Sequence, residues 1–234
     1  MIVILASRQD AVARLLAARW AHEGAELLTP EGLSVEGWRH YVATDGDEAA
    51  VIGGRRVATC DIEGVVSRLW GIGENDLPHI VAEDRSYISM EMTAFLTSWL
   101  SSLRCPVLNR PLPMSLAGPN WRREEWIHRA ARLGIPVRPL QRRSTPDAPL
   151  AQDSRPENLN AVTVAGNACP GTADETLKVH ALRLARSVGA SLLNVHFDGD
   201  TADAAFVSAD VWPDVSAPLV ADAILEHFKG GGTC

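Results

Sequence analysis

The stretch QRRSTPDAPLAQDSRPEN, residues 141–158, decides the fold prediction, because it separates two segments with regular hydrophobic patterns. It holds three prolines and several charges, and it shows almost no hydrophobic periodicity. Proline removes a backbone donor, and clusters of such polar residues are typical of loops. The stretch therefore predicts a linker between residues 1–140 and residues 159–234.

Before the linker, apolar runs alternate with amphipathic segments. The run MIVILAS at residues 1–7 is typical of a strand that is covered on both faces. This alternation predicts an α/β fold, an open sheet with helices on both faces. Gly134 is expected to end one helix, and Arg55 and Arg56 to lie in a hairpin turn. The predicted strands are 1–7, 25–28, 49–52, 65–69, 107–109 and 135–138, and the predicted helices are 10–22, 83–103 and 121–133.

After the linker, the same reasoning predicts a smaller set of elements. Asp198-Gly199-Asp200 lies between two short apolar runs, which indicates a β-hairpin. Thr172 or Asp174 is suited to cap the helix that follows the first strand. The predicted strands are 160–168, 192–197 and 204–209, and the predicted helices are 174–188 and 217–228.

The composition excludes several classes of function. A net charge of −7 over 234 residues argues against nucleic-acid binding, which needs a basic surface. The N-terminal apolar run is too short to span a membrane, so cytoplasmic residence is expected. The four cysteines stand singly, which predicts neither a zinc site nor a disulfide framework. Cys105 is expected to be a small buried residue. A thiol enzyme that uses Cys105 or Cys169 with a histidine is an alternative, but such pairs of residues arise easily by chance.

Several short motifs occur in the order in which the ATP-grasp peptide ligases carry them. They are VVSRL at 65–69, EDRSY at 83–87, VLNRP at 107–111 and WIHRAARLGIPV at 126–137; AVTVAGNAC at 161–169 and FVSADVWP at 206–213 follow the linker. The chain most resembles the graspetide maturases, which crosslink ribosomally made peptides. It is also similar in architecture to the truncated peptide-binding proteins of crocagin biosynthesis.

The resemblance implies the domain organisation. Residues 1–140 would form a Rossmann-like pre-ATP-grasp domain, and residues 159–234 the remnant of the ATP-grasp C-terminal subdomain. The linker at 141–158 would stand in place of the family's ATP lid, which would be deleted in this chain. Sheet edges and apolar faces that the lid would cover then predict a homodimer or another protein partner.

The resemblance also implies that the magnesium–ATP site is lost. Magnesium needs oxygen ligands, and the family has a carboxylate where this chain has His196. Ser208 stands at the family's metal-binding glutamate, and Asp210 at its asparagine. We therefore predict no metal, no cofactor and no catalytic residue. A metal site formed by His196, Asp198 and Asp210 is the alternative to a hairpin tip with solvated aspartates.

Two aromatic groups are the candidates for peptide binding. Trp121, Arg122 and Arg123 stand at the start of a predicted helix, where arginine forks and rigid aromatic surface suit a peptide carboxylate or an acidic leader. Trp212 replaces the end of the family's metal loop with apolar bulk, which suits packing or a subunit contact. The alternative for the first group is that its arginines are solvated, while Trp126 packs in the core.

The function that follows is a binding protein rather than an enzyme. It would hold the leader of a ribosomally made precursor peptide and present that peptide to the modifying enzymes of its pathway. The first alternative is a shortened ATP-grasp amide ligase, or a ligase subunit that a partner chain completes. The second is a small-molecule sensor or a structural subunit.

Overall fold

The computed structural model describes residues 1–42, 46–140 and 159–231, so the predicted linker at 141–158 lies outside the described residues. No helix within these ranges is long and apolar enough to cross a membrane. The strands are β1 Ile2–Ala6, β2 Ala25–Leu28, β3 Ala49–Ile52, β4 Arg55–Ala58, β5 Gly64–Arg68, β6 Val107–Leu108, β7 Asn160–Ala165, β8 Leu192–Phe197 and β9 Phe206–Asp210; the helices are α1 Ala11–Arg19, α2 Arg85–Ser102, α3 Arg123–Arg132, α4 Glu175–Val188 and α5 Pro218–Gly230.

The first sheet is parallel and has the strand order β2-β1-β5-β6. Side chains of α2 pack against one of its faces, and side chains of α1 and α5 pack against the other. All five residues of β1 are buried, which explains why its sequence is a continuous apolar run rather than an alternating one. The predicted open sheet with helices on both faces is confirmed.

The second sheet is antiparallel, with the order β7-β8-β9, and α3 and α4 cover one of its faces. Val137 forms a parallel bridge to Phe206, so the segment just before residue 141 is attached to the outer side of β9. The strand predicted for residues 135–138 is thus reduced to a single bridge. The predicted hairpin of β8 and β9 is confirmed, with a longer loop than the Asp-Gly-Asp turn alone.

The two sheets pack into one body, because helices from each half of the sequence cross to the other sheet. Helix α5 follows the second sheet in sequence but covers the first, where Phe228 lies against Gly64. A Cβ atom at Gly64 would lie 2.5 Å from the Phe228 ring, so only glycine allows this approach. The division of the chain at residues 141–158 stays a sequence prediction.

Asn109, directly after β6, joins the first sheet to the second. Its side-chain amide donates to the carbonyls of Ala117 and Leu192 at 3.1 and 2.8 Å. Its carbonyl oxygen accepts from the backbone N–H groups of Ser191 and Leu192 at 2.8 and 2.7 Å. All four hydrogen bonds available to an asparagine side chain are therefore made, at a position that is 1% exposed.

Local turn chemistry was predicted correctly at two helix ends and wrongly at one hairpin. Gly134 has a φ of +70° after α3, and Asp174 accepts from the Thr176 N–H at 2.8 Å before α4. The hairpin of β3 and β4, however, turns at Gly53 and Gly54, with φ of +57° and +71°. Two left-handed residues make the turn typical of two-residue hairpins, so Arg55 and Arg56 lie in the strand and not in the turn.

Candidate functional site

The face of the second sheet that α3 and α4 leave uncovered carries polar side chains. In the strand register Asn194 lies opposite Asp210, and His196 lies opposite Ser208, so these four side chains share one face. Thr163 of β7 extends the row, since its hydroxyl donates to Oδ1 of the Asn194 side chain at 3.3 Å. The positions that the resemblance assigns to the family's metal ligands, His196, Ser208 and Asp210, thus come together, with Asn194 and Thr163 as neighbours that sequence reasoning missed.

The centre of this polar face is a closed pair of side chains. His196 Nε2 lies 2.7 Å from Asp210 Oδ2, and the His196 side chain is only 11% exposed. The other carboxylate oxygen of Asp210 accepts from the Trp212 N–H at 2.8 Å. Both oxygens are therefore engaged within the protein. The Asp210 carboxylate thus holds both the His196 imidazole and the backbone that follows β9.

Asp198 does not join this pair. Its carboxylate accepts from the Ala205 N–H at 2.7 Å, which closes the loop between β8 and β9. Among the residues that the structure describes, no three His, Cys, Asp or Glu side chains are grouped as metal ligands. Asp198 thus lies in the loop, apart from the His196–Asp210 pair.

Trp212 lies in a cluster at the carboxyl end of the parallel sheet, where open α/β sheets bind their ligands. The Arg68 guanidinium carbon is 5.3 Å from the centre of the Trp212 ring, and Arg68 Nη1 donates to the Pro213 carbonyl at 3.3 Å. Trp70 packs on Trp212, with ring centres 4.7 Å apart. Arg68 Nε donates to Asp10 at 2.8 Å, which fixes the cluster to the start of α1.

The start of α3 holds the other predicted residues. Trp121 is half-buried and packs on the buried Trp126, with ring centres 4.9 Å apart. Arg122 is exposed, and its backbone N–H donates to the Glu125 carboxylate at 2.8 Å. Arg123 Nε donates to the Val207 carbonyl at 3.1 Å, near the beginning of β9, whereas Trp212 follows the end of that strand. The predicted residues thus form two groups along β9, and only Arg122 presents an exposed charge.

A groove of about 790 Å³ adjoins the Trp70 side of the cluster. It runs along one face of α2 and is bordered by the loops that follow β5 and β6. Sequence reasoning missed this groove and the role of Arg68. An arginine that ends an otherwise buried strand was the available signal for Arg68, because a charge there needs a partner.

The two cysteines of the thiol-enzyme alternative are removed from solvent to different degrees. Burial raises the pKa of the Cys169 thiol to about 11, so it stays protonated at neutral pH and is a poor nucleophile. Cys105 is buried, as predicted, in the cluster that lies between the first sheet and α2.

Comparison with solved structures shows which known proteins share the fold of this chain. The macrocyclase MdnC from Microcystis aeruginosa MRC, bound with the precursor peptide MdnA, matches with a TM-score of 0.67 and 12% identity, over 97% of this chain and 98% of that one. The ATP-grasp ligase PsnB, complexed with minimal precursor, Mg and ADP, matches with a TM-score of 0.67 and 13% identity, over the same shares of the two chains. The fold is that of the ATP-grasp ligases.

A third structure has the same fold. The RiPP-associated ATP-grasp ligase of Chryseobacterium gregarium, in complex with ADP and a leader and core peptide, matches with a TM-score of 0.62 and 11% identity, over 98% of this chain and 93% of that one. No protein-family model matches the sequence, and no curated protein matches it. At these identities the comparisons establish a common architecture for this ATP-grasp-like chain.

Proposed function

We propose that this ATP-grasp-like chain is a non-catalytic protein that binds a ribosomally made precursor peptide and presents it to modifying enzymes. The observation that carries the proposal is the His196–Asp210 pair, which lies at positions that the family resemblance assigns to metal ligands. The similar structures contain precursor peptides, which supports peptide as the ligand. In this proposal the chain keeps the ATP-grasp fold and uses it to bind peptide without metal chemistry.

The outer edge of β7 is suited to bind such a peptide as an added strand. The Gly166 N–H donates to the Ser191 carbonyl at 2.7 Å, which fixes the alternation of bonded and non-bonded pairs along β7 and β8. It follows that the N–H and C=O groups of Ala161 and Thr163 point away from β8. Among the described residues no backbone partner is found for these groups, so they are open to a peptide. Their two-residue spacing is the spacing at which an extended peptide presents its own N–H and C=O groups.

The aromatic groups predicted from the sequence are proposed as further contacts with the peptide. Arg122 gives the start of α3 an exposed charge for acidic leader residues, beside the flat surface of Trp121. Trp212 and Trp70 form a second aromatic surface at the end of β9. Aromatic residues and arginines dominate binding energies at protein surfaces, which favours these positions over the rest of the surface.

Calorimetric titration tests the proposed function. The titrants are magnesium–ATP and synthetic peptides that cover the short reading frames beside the gene. We expect micromolar binding of one peptide, unchanged by ATP, and no heat from magnesium–ATP. Arg122→Glu should weaken peptide binding about tenfold, and Arg14→Glu, which changes an exposed charge on α1, should not. Tight magnesium–ATP binding, or the absence of any binding peptide, would contradict the proposal. Protection of the Ala161 and Thr163 amides from hydrogen exchange in the complex would report strand addition.

We also propose that the chain forms a homodimer through α1 and α5. These helices are joined by the Arg19–Asp222 ion pair, one turn from Leu15 and Leu219, each 62% exposed. Light scattering after gel filtration should give twice the chain mass. Leu15→Glu with Leu219→Glu should give the monomer mass, while Val179→Glu on α4 should not change it. A monomeric wild-type chain would remove this part of the proposal.

A further inference from the structure

A second set of side chains, between the segment before β3 and helix α2, is joined in a line by hydrogen bonds. His40 Nε2 lies 2.8 Å from Ser98 Oγ, and His40 Nδ1 lies 3.1 Å from Glu48 Oε1. A carboxylate only accepts hydrogen bonds, so Nδ1 of the neutral imidazole carries the proton. Nε2 is then the acceptor, and the Ser98 hydroxyl is the donor. This is the polarity with which a histidine activates a serine nucleophile.

The imidazole of His40 is held in this orientation from several sides. The His40 side chain is 6% exposed, and its ring is nearly perpendicular to that of Phe95, with an interplanar angle of 89° and ring centres 5.9 Å apart. The carboxylate of Glu48 is itself fixed, because Oε1 also accepts from the Tyr41 N–H at 3.2 Å. The base and the carboxylate that orients it are therefore positioned before any ligand arrives, as preorganised catalytic groups are.

Ser98 opens into the groove of about 790 Å³ along α2. None of the side chains that line this groove is charged, and its walls include Trp70, Ile72, Met90, Pro113 and Met114. A charged ligand would find no partner there, whereas a neutral apolar group would bury its surface favourably. The groove thus favours neutral, apolar molecules over charged ones as ligands that reach Ser98.

We propose that Ser98 is a nucleophile, activated by His40 and Glu48, that accepts acyl groups from neutral apolar esters. Ser98 Oγ forms a bond to the ester carbonyl carbon while the bond from that carbon to the leaving alcohol breaks. His40 Nε2 takes the Ser98 proton and delivers it to the departing alkoxide. Glu48 remains ionised and balances the transient imidazolium. This site is separate from the proposed peptide-binding function and does not depend on it.

The position of Ser98 inside a helix sets the expected rate. The backbone N–H groups around Ser98 donate to carbonyls within α2, so they do not stabilise an oxyanion. Each missing oxyanion donor costs about 10²–10³ in rate. We therefore expect slow, stoichiometric acylation of Ser98 by activated reagents, rather than rapid turnover.

Covalent labelling of the full chain tests this proposal. The probes are p-nitrophenyl butyrate and, separately, an alkyl fluorophosphonate, from which the attack of Ser98 expels fluoride while His40 takes the proton. Intact mass should show one adduct per chain, and peptide mapping should place it on Ser98.

Matched variants separate a nucleophile from a residue that only holds the fold. Ser98→Ala should abolish labelling, whereas Ser101→Ala should not, because Ser101 lines the same groove but donates to the Thr97 carbonyl at 2.7 Å. His40→Gln should slow labelling about a hundredfold, and Glu48→Gln provides the same test if His40→Gln does not fold. An unlabelled wild-type chain, an adduct elsewhere, or equal labelling rates in wild type and the histidine or glutamate variant would overturn the proposal.

Discussion

Replacement of Asn109 by leucine should lower the free energy of unfolding by about 3–5 kcal/mol, because each buried polar group left without a partner costs about 1–3 kcal/mol. The substitution keeps a similar volume but removes four hydrogen bonds. It leaves the Leu192 N–H, the Leu192 carbonyl and the Ala117 carbonyl without their partners. A whole domain is stable by only about 5–15 kcal/mol, so the loss would be a large fraction of the total.

Urea unfolding followed by circular dichroism measures this loss. Asn109→Asp should destabilise at least as much as leucine, because it buries an unpaired carboxylate against the Ala117 and Leu192 carbonyls. Asn120→Leu, at an exposed asparagine, should change stability by less than about 0.5 kcal/mol. If Asn109 couples the two sheets, its leucine variant should also broaden the transition or split it in two. A loss of unfolding free energy below about 1 kcal/mol would show that the two sheets are held together by their shared apolar clusters and not by Asn109.

The sequence predicted the local elements well because their signals are local. The continuous apolar run of β1, the glycine after α3 and the aspartate before α4 each act within a few residues of where they stand. The prediction that Arg55 and Arg56 lie in the turn of the β3–β4 hairpin was wrong, although Gly53-Gly54 is a strong local signal for the turn itself. Those arginines instead pair with Glu26 and Asp47 at 2.9 Å from within the strand.

The sites could be predicted only in part, because their contacts join distant residues. The two-residue period of strands places His196 on the same face as Asn194, and the hairpin brings Asp210 to them. Nothing in the local pattern, however, brings Asn109 to Leu192, or Ser98 to His40 and Glu48. Those contacts depend on how α2 and the second sheet lie on the first sheet. The hydrophobic pattern specifies that a face is buried, but it leaves open which partner buries it.

Replacement of Arg68 by methionine should lower the free energy of unfolding by about 3 kcal/mol, because it removes one partner of a buried ion pair. The Arg68 and Asp10 side chains are 10% and 16% exposed, and the pair joins the end of β5 to the start of α1. The same substitution removes the guanidinium from the face of Trp212 and from the Pro213 carbonyl. We therefore also expect a changed near-ultraviolet circular dichroism signal and weaker peptide binding, since Trp212 loses its support.

The contrast with an exposed pair makes the origin of this effect testable. Arg55 and Glu26 are 68% and 38% exposed and are joined at a similarly short distance of 2.9 Å. Arg55→Met should therefore cost less than about 1 kcal/mol, because water screens that pair. Asp10→Asn in the Arg68→Met background should recover part of the loss, since no buried charge then remains unpaired. If Arg68→Met and Arg55→Met proved equally mild, the Arg68 charge would be effectively solvated, and Trp212 would be positioned by its contact with Trp70 and by its own backbone.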